Sequence, residues 1–218
     1  LRGHGQSSSE TEKLSINAFA QDVTAVISSL GLSNVTIIGH SLGGLVVLET
    51  ARLNIIDLQG VVVVDELGGE DLFYSYFHKI GAWLMLKFGY DRVIDSMVKK
   101  LYRSPATNYL AEEISGAMKE VPTLTGINSL FGEGHYFDYI NNHISEALGD
   151  VSVPIAIFNA GDAPPKHNFD TLNQELLVTK GMPNTSHFLM MEQSTEFNEL
   201  LESILEEFKL ILMMAHLE

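Results

Sequence analysis

Cysteine is absent from the 218 residues. That excludes disulfides, thiolate metal sites and cysteine nucleophiles, so a metal would have to rest on histidine and carboxylates. Positive charge is scarce: 13 Lys and Arg stand against 28 Asp and Glu, a formal net charge of -15. A surface of that sign repels phosphate backbones and anionic headgroups, so nucleic acid is not an expected partner. No apolar run reaches the roughly 20 residues needed to span a bilayer, and no basic segment leads into an apolar one at the start. The expected location is the cytoplasm; because the first residue is Leu1 and not methionine, an upstream targeting signal is compatible with that expectation. Histidines 78, 135, 143 and 167 show no carboxylate partner at a helical i, i+4 spacing, and no nucleotide-binding glycine pattern occurs. Neither a metal nor a cofactor is expected.

What the chain has is apolar substance, 45% of its residues, enough for one sizeable core. The stretch 15–32 carries Phe19, Val23, Val26, Ile27 and Leu30 at helical spacing, with Ser15 suited to the N-cap and Gly31 to the stop. "NVTIIGHS", "LQGVVVVDE", "VPIAIFNAGD" and "QELLVTKG" read as strands, separated by helical segments and apolar on both faces. This pattern predicts an α/β fold with a mostly parallel sheet flanked by helices. Between Asp65 and Val153 the sequence is helical in character with no strand pattern, which predicts an inserted helical cap over 66–150. The core is then assigned to 1–65 and 151–214. The aromatics and Met85 of 73–90, namely Phe73, Tyr74, Tyr76, Phe77, Trp83, Phe88 and Tyr90, either line an apolar pocket or pack the cap onto the sheet. The acidic residues Glu199, Glu202, Glu206 and Glu207 of the last helix are expected on a solvated face.

Chemistry concentrates in "GHSLG", residues 39–43. A serine hydroxyl is a weak nucleophile at neutral pH, and it needs a base within reach and donors for the oxyanion it creates. G-x-S-x-G on a sharp strand-to-helix turn supplies the geometry, because glycines flanking the apex let strand and helix pass closely. Here an apolar strand precedes Ser41 and an apolar helix follows it. The N–H of Leu42, at that helix's N-terminus, is the expected oxyanion donor.

These features together resemble the α/β-hydrolase fold family, in its esterase and lipase branch. "LRGHGQS" resembles the family's loop that follows an early strand, with His4 in its turn. "GHSLGG" is similar to the nucleophile elbow, with His40 packed beside the serine. "VPIAIFNAGD" resembles the penultimate strand with its acid loop, and "GMPNTSHFLMMEQSTEFNELLESILEEF" resembles the final histidine loop and closing helix. The resemblance implies Ser41 as nucleophile, Asp162 as acid and His187 as base, acting without a cofactor on a small-molecule carboxylic ester through an acyl-enzyme. Asp65, after the preceding strand, is the alternative acid, and Asp170 a weaker one. Lactonase, thioesterase, aminopeptidase or C–C bond hydrolase chemistry uses the same residues, while a catalytically impaired interaction module is the rival from another class.

Relatives of this type carry their first strands and a second oxyanion loop before the "RGHGQS" segment, where this chain begins. The strand ending at Ser41 is therefore expected at a sheet edge. Self-association or a complementing segment is expected to cover it.

Overall fold

The computed structural model describes residues 1–8, 14–54, 57–67, 72–101, 108–131, 134–164 and 166–215. Four parallel strands form one sheet in the order β1 (Val35–His40), β2 (Leu58–Val64), β3 (Ile155–Ala160) and β4 (Leu177–Met182). Parallel neighbours need crossovers, and α2 (Leu42–Leu53) makes the first of these. Before β1 comes α1 (Ile16–Ser29), whose Ser15 hydroxyl accepts the Ala18 N–H at 3.2 Å, while Gly31 just past its end takes φ +61°. Cap and stop stand where the residue types place them.

The sheet is buried on both faces because side chains alternate across it. Val61 and Val63 of β2, with Ile155 and Ile157 of β3, join Phe19 of α1 and Leu45 and Leu48 of α2 in one cluster. Val62, Val64, Ala156 and Phe158 point the other way, into a second cluster with Phe197, Ile204 and Phe208 of α10 (Ser194–Ala215). Phe158 and Phe197 stack with centroids 5.1 Å apart. All four valines of "VVVV" are fully buried, each worth roughly 1.5–3 kcal/mol relative to exposure, which is why that run admits no polar residue.

Between β2 and β3 the described residues hold helices and no strand: α3 (Leu72–Phe88), α4 (Tyr90–Leu101), α5 (Asn108–Lys119), α6 (Thr123–Leu130), α7 (Tyr136–Asn142) and α8 (Ile144–Gly149). One long helical stretch in the sequence divides into α3 and α4 at Gly89, which takes φ +92°. The short α6 begins just after Pro122 and carries its own Gly126. Packing of α8 against α2 ties the end of this helical region to the sheet. A four-residue α9 (Leu189–Glu192) precedes α10.

At one edge of the sheet, β1 pairs with β2 alone among the described residues, and Ile38 in its middle is 46% exposed. On α10, Glu199, Glu202 and Glu206 are exposed as expected, whereas Glu207 is half-buried and accepts a hydrogen bond from Lys180 of β4. None of the described helices is long and apolar enough to cross a membrane.

Candidate active site

Ser41 stands at the C-terminal end of β1, where the chain reverses into α2. Its φ is +53° and its ψ -126°, a conformation that an L-residue adopts only when its surroundings force it. Two hydrogen bonds hold the turn: Ser41 N–H donates to the Val64 carbonyl at 3.0 Å, and Gly44 N–H donates to the Ser41 carbonyl at 2.6 Å. Close passage depends on Gly39 and Gly44. A Cβ on Gly39 would sit 2.0 Å from the Gly43 carbonyl oxygen, and one on Gly44 would meet Val63 Cγ1 at 2.9 Å. The second glycine of the motif, Gly43, has open space at its Cβ position, so the crowding belongs to Gly44, one residue further on. Leu42 opens α2, with its N–H in the first turn.

His187 lies in the loop between β4 and α9. The structure brings Asp65, the alternative acid, to it: His187 Nδ1–H donates to Asp65 Oδ2 at 2.7 Å, with the two side chains only 10% and 18% exposed. Asp65 Oδ1 accepts the Ala160 N–H at 2.7 Å, and the Asp65 N–H donates to the Phe158 carbonyl at 2.9 Å. Like Ser41, Asp65 has a positive φ, +50°. The expectation that Asp162 takes this place is corrected. Asp162 is exposed in the loop beyond β3, one strand further from β1, while β2 is the direct neighbour of the strand that carries the serine. Asp170 is likewise exposed.

Several groups fix the His187 loop. His40 Nε2–H donates to the His187 carbonyl at 2.7 Å, which sets the His40 tautomer, and the two rings lie 4.5 Å apart. Burial, with the adjacent His187 adding to it, pushes His40 down to about 4, so it stays neutral. The His187 N–H donates to the Leu101 carbonyl at 3.3 Å. Just before it, Ser186 gives its N–H at 3.2 Å and its hydroxyl to the Glu192 carboxylate. Nothing in the sequence singled out Glu192. Its spacing from Ser186 is that of a loop, not of a helix face.

A cavity of about 520 Å³ opens onto His40, Ser41 and His187, and its remaining wall is chiefly apolar, including Leu42, Ile94, Met97, Met118, Phe137 and Phe188. Of the cap aromatics read from the sequence, Tyr90 reaches this cavity, Trp83 and Phe88 are largely exposed, and Met85 is buried. The side chains of Phe73, Tyr74, Tyr76, Phe77 and His78 lie outside the described residues. A second cavity of about 560 Å³, away from Ser41, surrounds Glu49 and Arg52. There the 1%-exposed Glu49 accepts from Arg52 twice at 2.7 Å, from Asn17 at 2.8 Å and from the Tyr139 hydroxyl at 2.7 Å. Those bonds hold the Glu49 carboxyl below its usual range despite burial. Among the described residues no group of three or more His, Asp or Glu is arranged to hold a metal ion.

A parallel sheet wrapped by helices on both faces, with a serine on the sharp turn from strand to helix, is the architecture of the α/β hydrolases. The chain belongs to the Alpha/beta hydrolase family, whose model matches residues 1–200. Over 84 residues, 35% of this chain, it is 36% identical to a putative esterase/lipase of Haemophilus influenzae, and the match spans 29% of that curated relative. Among solved structures it is similar to a thermophilic esterase from Thermogutta terrifontis, with TM-score 0.75 and 20% identity over 95% of this chain and 78% of that one. An N-acyl homoserine lactone degrading enzyme gives TM-score 0.77 and 17% identity over 93% and 79%. The esterase RhEst1 from Rhodococcus sp. ECU1013 gives 0.72 and 18% over 94% and 78%. At these identities the structural likeness establishes the fold.

Proposed function

We propose that this chain is a serine hydrolase that cleaves carboxylic esters of small molecules, with Ser41 as nucleophile, His187 as base and Asp65 as the acid that orients it. The observation that carries the reading is the 2.7 Å hydrogen bond from His187 Nδ1 to Asp65 Oδ2, on a histidine that shares one cavity with Ser41. With Nδ1 committed to Asp65, Nε2 is left unprotonated and takes the serine proton as Oγ attacks the ester carbonyl carbon. The Leu42 N–H stabilises the oxyanion. When the tetrahedral intermediate collapses, His187 returns the proton to the departing alcohol, leaving an acyl-enzyme. Water, activated by the same histidine, then releases the acid.

The apolar wall of the cavity suits an uncharged acyl group. Opening a lactone would require no different residue, and lactone degradation is the activity given for one of the structural relatives, so lactones belong in the substrate panel. We also propose that a second copy or a complementing segment pairs with the outer edge of β1, because the apolar Ile38 is exposed on that strand. A monomeric mass in solution at micromolar concentration would remove that proposal.

The test of the main reading is intact mass after treatment with a fluorophosphonate. A single adduct, absent from Ser41→Ala, is expected; a folded protein that takes up none would overturn it and favour an interaction module.

A further inference from the structure

Glu66, which follows Asp65, is a buried carboxyl with no part in the reaction described above. Both of its carboxyl oxygens are sealed from solvent, and neither completes a hydrogen bond of good geometry among the described residues. Only other atoms of the residue reach the surface. Its place is beneath the elbow: a methyl group added to Gly44 would come within 3.1 Å of Glu66 Cβ. The groups that face it are Ser41 from the start of α2, Tyr136 from α7 and Asp65 from the end of β2, the last already engaged by His187.

An ionised carboxylate in such a position faces no cation among the described residues and has only the two hydroxyls to offset its desolvation, so it keeps its proton. Burial above all, with Asp65 adding to it, pushes Glu66 up to about 8, against the opposing pull of the Tyr136 and Ser41 hydroxyls. A serine hydroxyl has one proton to give and two lone pairs to receive with. The protonation state of the neighbouring carboxyl therefore decides which way the serine proton points.

We propose that Glu66 is a positioning residue for the Ser41 hydroxyl: as a neutral acid it donates toward Ser41 Oγ and leaves the serine's own proton for His187, and as a carboxylate it captures that proton and stalls the nucleophile. The step is a reorientation in which no covalent bond breaks: the serine O–H donates its hydrogen bond either to His187 or to the Glu66 carboxylate. This rests on the reading of Ser41 as nucleophile. It adds an alkaline brake that Asp65 and His187 do not require.

The experiment is the rate of fluorophosphonate labelling of Ser41 across neutral to alkaline pH, in the unsubstituted protein and in Glu66→Gln, whose amide donates but cannot ionise. The expected result is a descending limb centred near pH 8, falling about tenfold per pH unit above it and absent from Glu66→Gln. A limb that persists unchanged in the variant overturns the proposal while leaving the hydrolase reading intact. No labelling at any pH overturns both. Should Glu66→Gln fail to fold, infrared spectroscopy of the unsubstituted protein decides: a protonated carboxyl band at neutral pH, lost with the midpoint of the labelling limb, supports the proposal, and its absence at neutral pH overturns it.

Discussion

Ser41 and Asp65 occupy equivalent positions on neighbouring strands. His40 of β1 is in register with Val64 of β2, so each of the two residues is the first beyond its strand, and each is held at positive φ, +53° and +50°. The Ser41 N–H donates to the Val64 carbonyl immediately before Asp65. Such adjacency places a carboxylate beside the strand that carries Ser41 without a long loop.

Replacement of Asp65 by Asn is expected to lower kcat/KM for an ester substrate by roughly 10⁴-fold, the cost of losing the correct histidine tautomer. Asp162→Asn, at an exposed loop position, should stay within about threefold. Reversal of that order in steady-state kinetics would return the acid to the loop after β3.

Gly39→Ala is expected to abolish soluble folded protein, because the new methyl would lie 2.0 Å from a backbone oxygen that cannot move without dismantling the elbow. Gly43→Ala meets open space in a helix and should be neutral or stabilising by up to about 1 kcal/mol. Expression and thermal unfolding of the pair would show it; equal behaviour would contradict the crowding described at Gly39.

Glu49→Ala should destabilise the fold by about 3–5 kcal/mol, since it strands the Arg52 guanidinium, Asn17 and the Tyr139 hydroxyl around an emptied buried site. Tm should fall by roughly 10 °C. A drop of a degree or two would mean that water replaces the carboxylate.

Stability should decline from pH 6.5 to 8. His40, lowered from 6.5 to about 4, lets the unfolded chain bind the extra proton between those values, so it makes stability rise with pH there. Glu66, raised from 4.5 to about 8, keeps a proton that the unfolded chain has lost, so it makes stability fall across that window. The two oppose each other from 4.5 to 6.5, and above 6.5 only Glu66 acts, with a slope of about 1.4 kcal/mol per pH unit. Urea unfolding at both pH values measures it, and a flat profile in the unsubstituted protein would contradict the buried neutral carboxyl.

The strands and the elbow were legible because their signals are local: β-branched apolar runs, a glycine-flanked serine, and a helix that buries both sides. The residue facing His187 was legible only as one of three aspartates, with Asp170 the weakest and Asp162 and Asp65 the two leading ones. Each follows an apolar strand, and choosing between them requires knowing which strand lies next to β1, a fact of sheet order that no stretch of sequence contains. Glu66, Glu192 and Glu49 look like ordinary acidic residues in a chain rich in them. Their burial comes from elements far away in sequence, as Tyr139 and Asn17 around Glu49 illustrate. For a related reason the sequence left open which residues of 73–90 line the cavity: Tyr90 does, and α4 and α5 add aliphatic and methionine side chains to the wall.

The candidate site is anchored unevenly. Asp65 ends β2, whose valines are fully buried, and the Ser41 N–H ties the end of β1 to that strand through the Val64 carbonyl. His187 hangs from a loop secured by the Glu192 carboxylate, the His40 ring and one long bond to Leu101. A loop held by a few bonds opens at a lower free energy than the buried core of a sheet. On the proposed roles, labelling of Ser41 is expected to be lost on heating before the sheet melts and to return on cooling, because His187 leaves its place when that loop opens; loss that coincides with melting would contradict this.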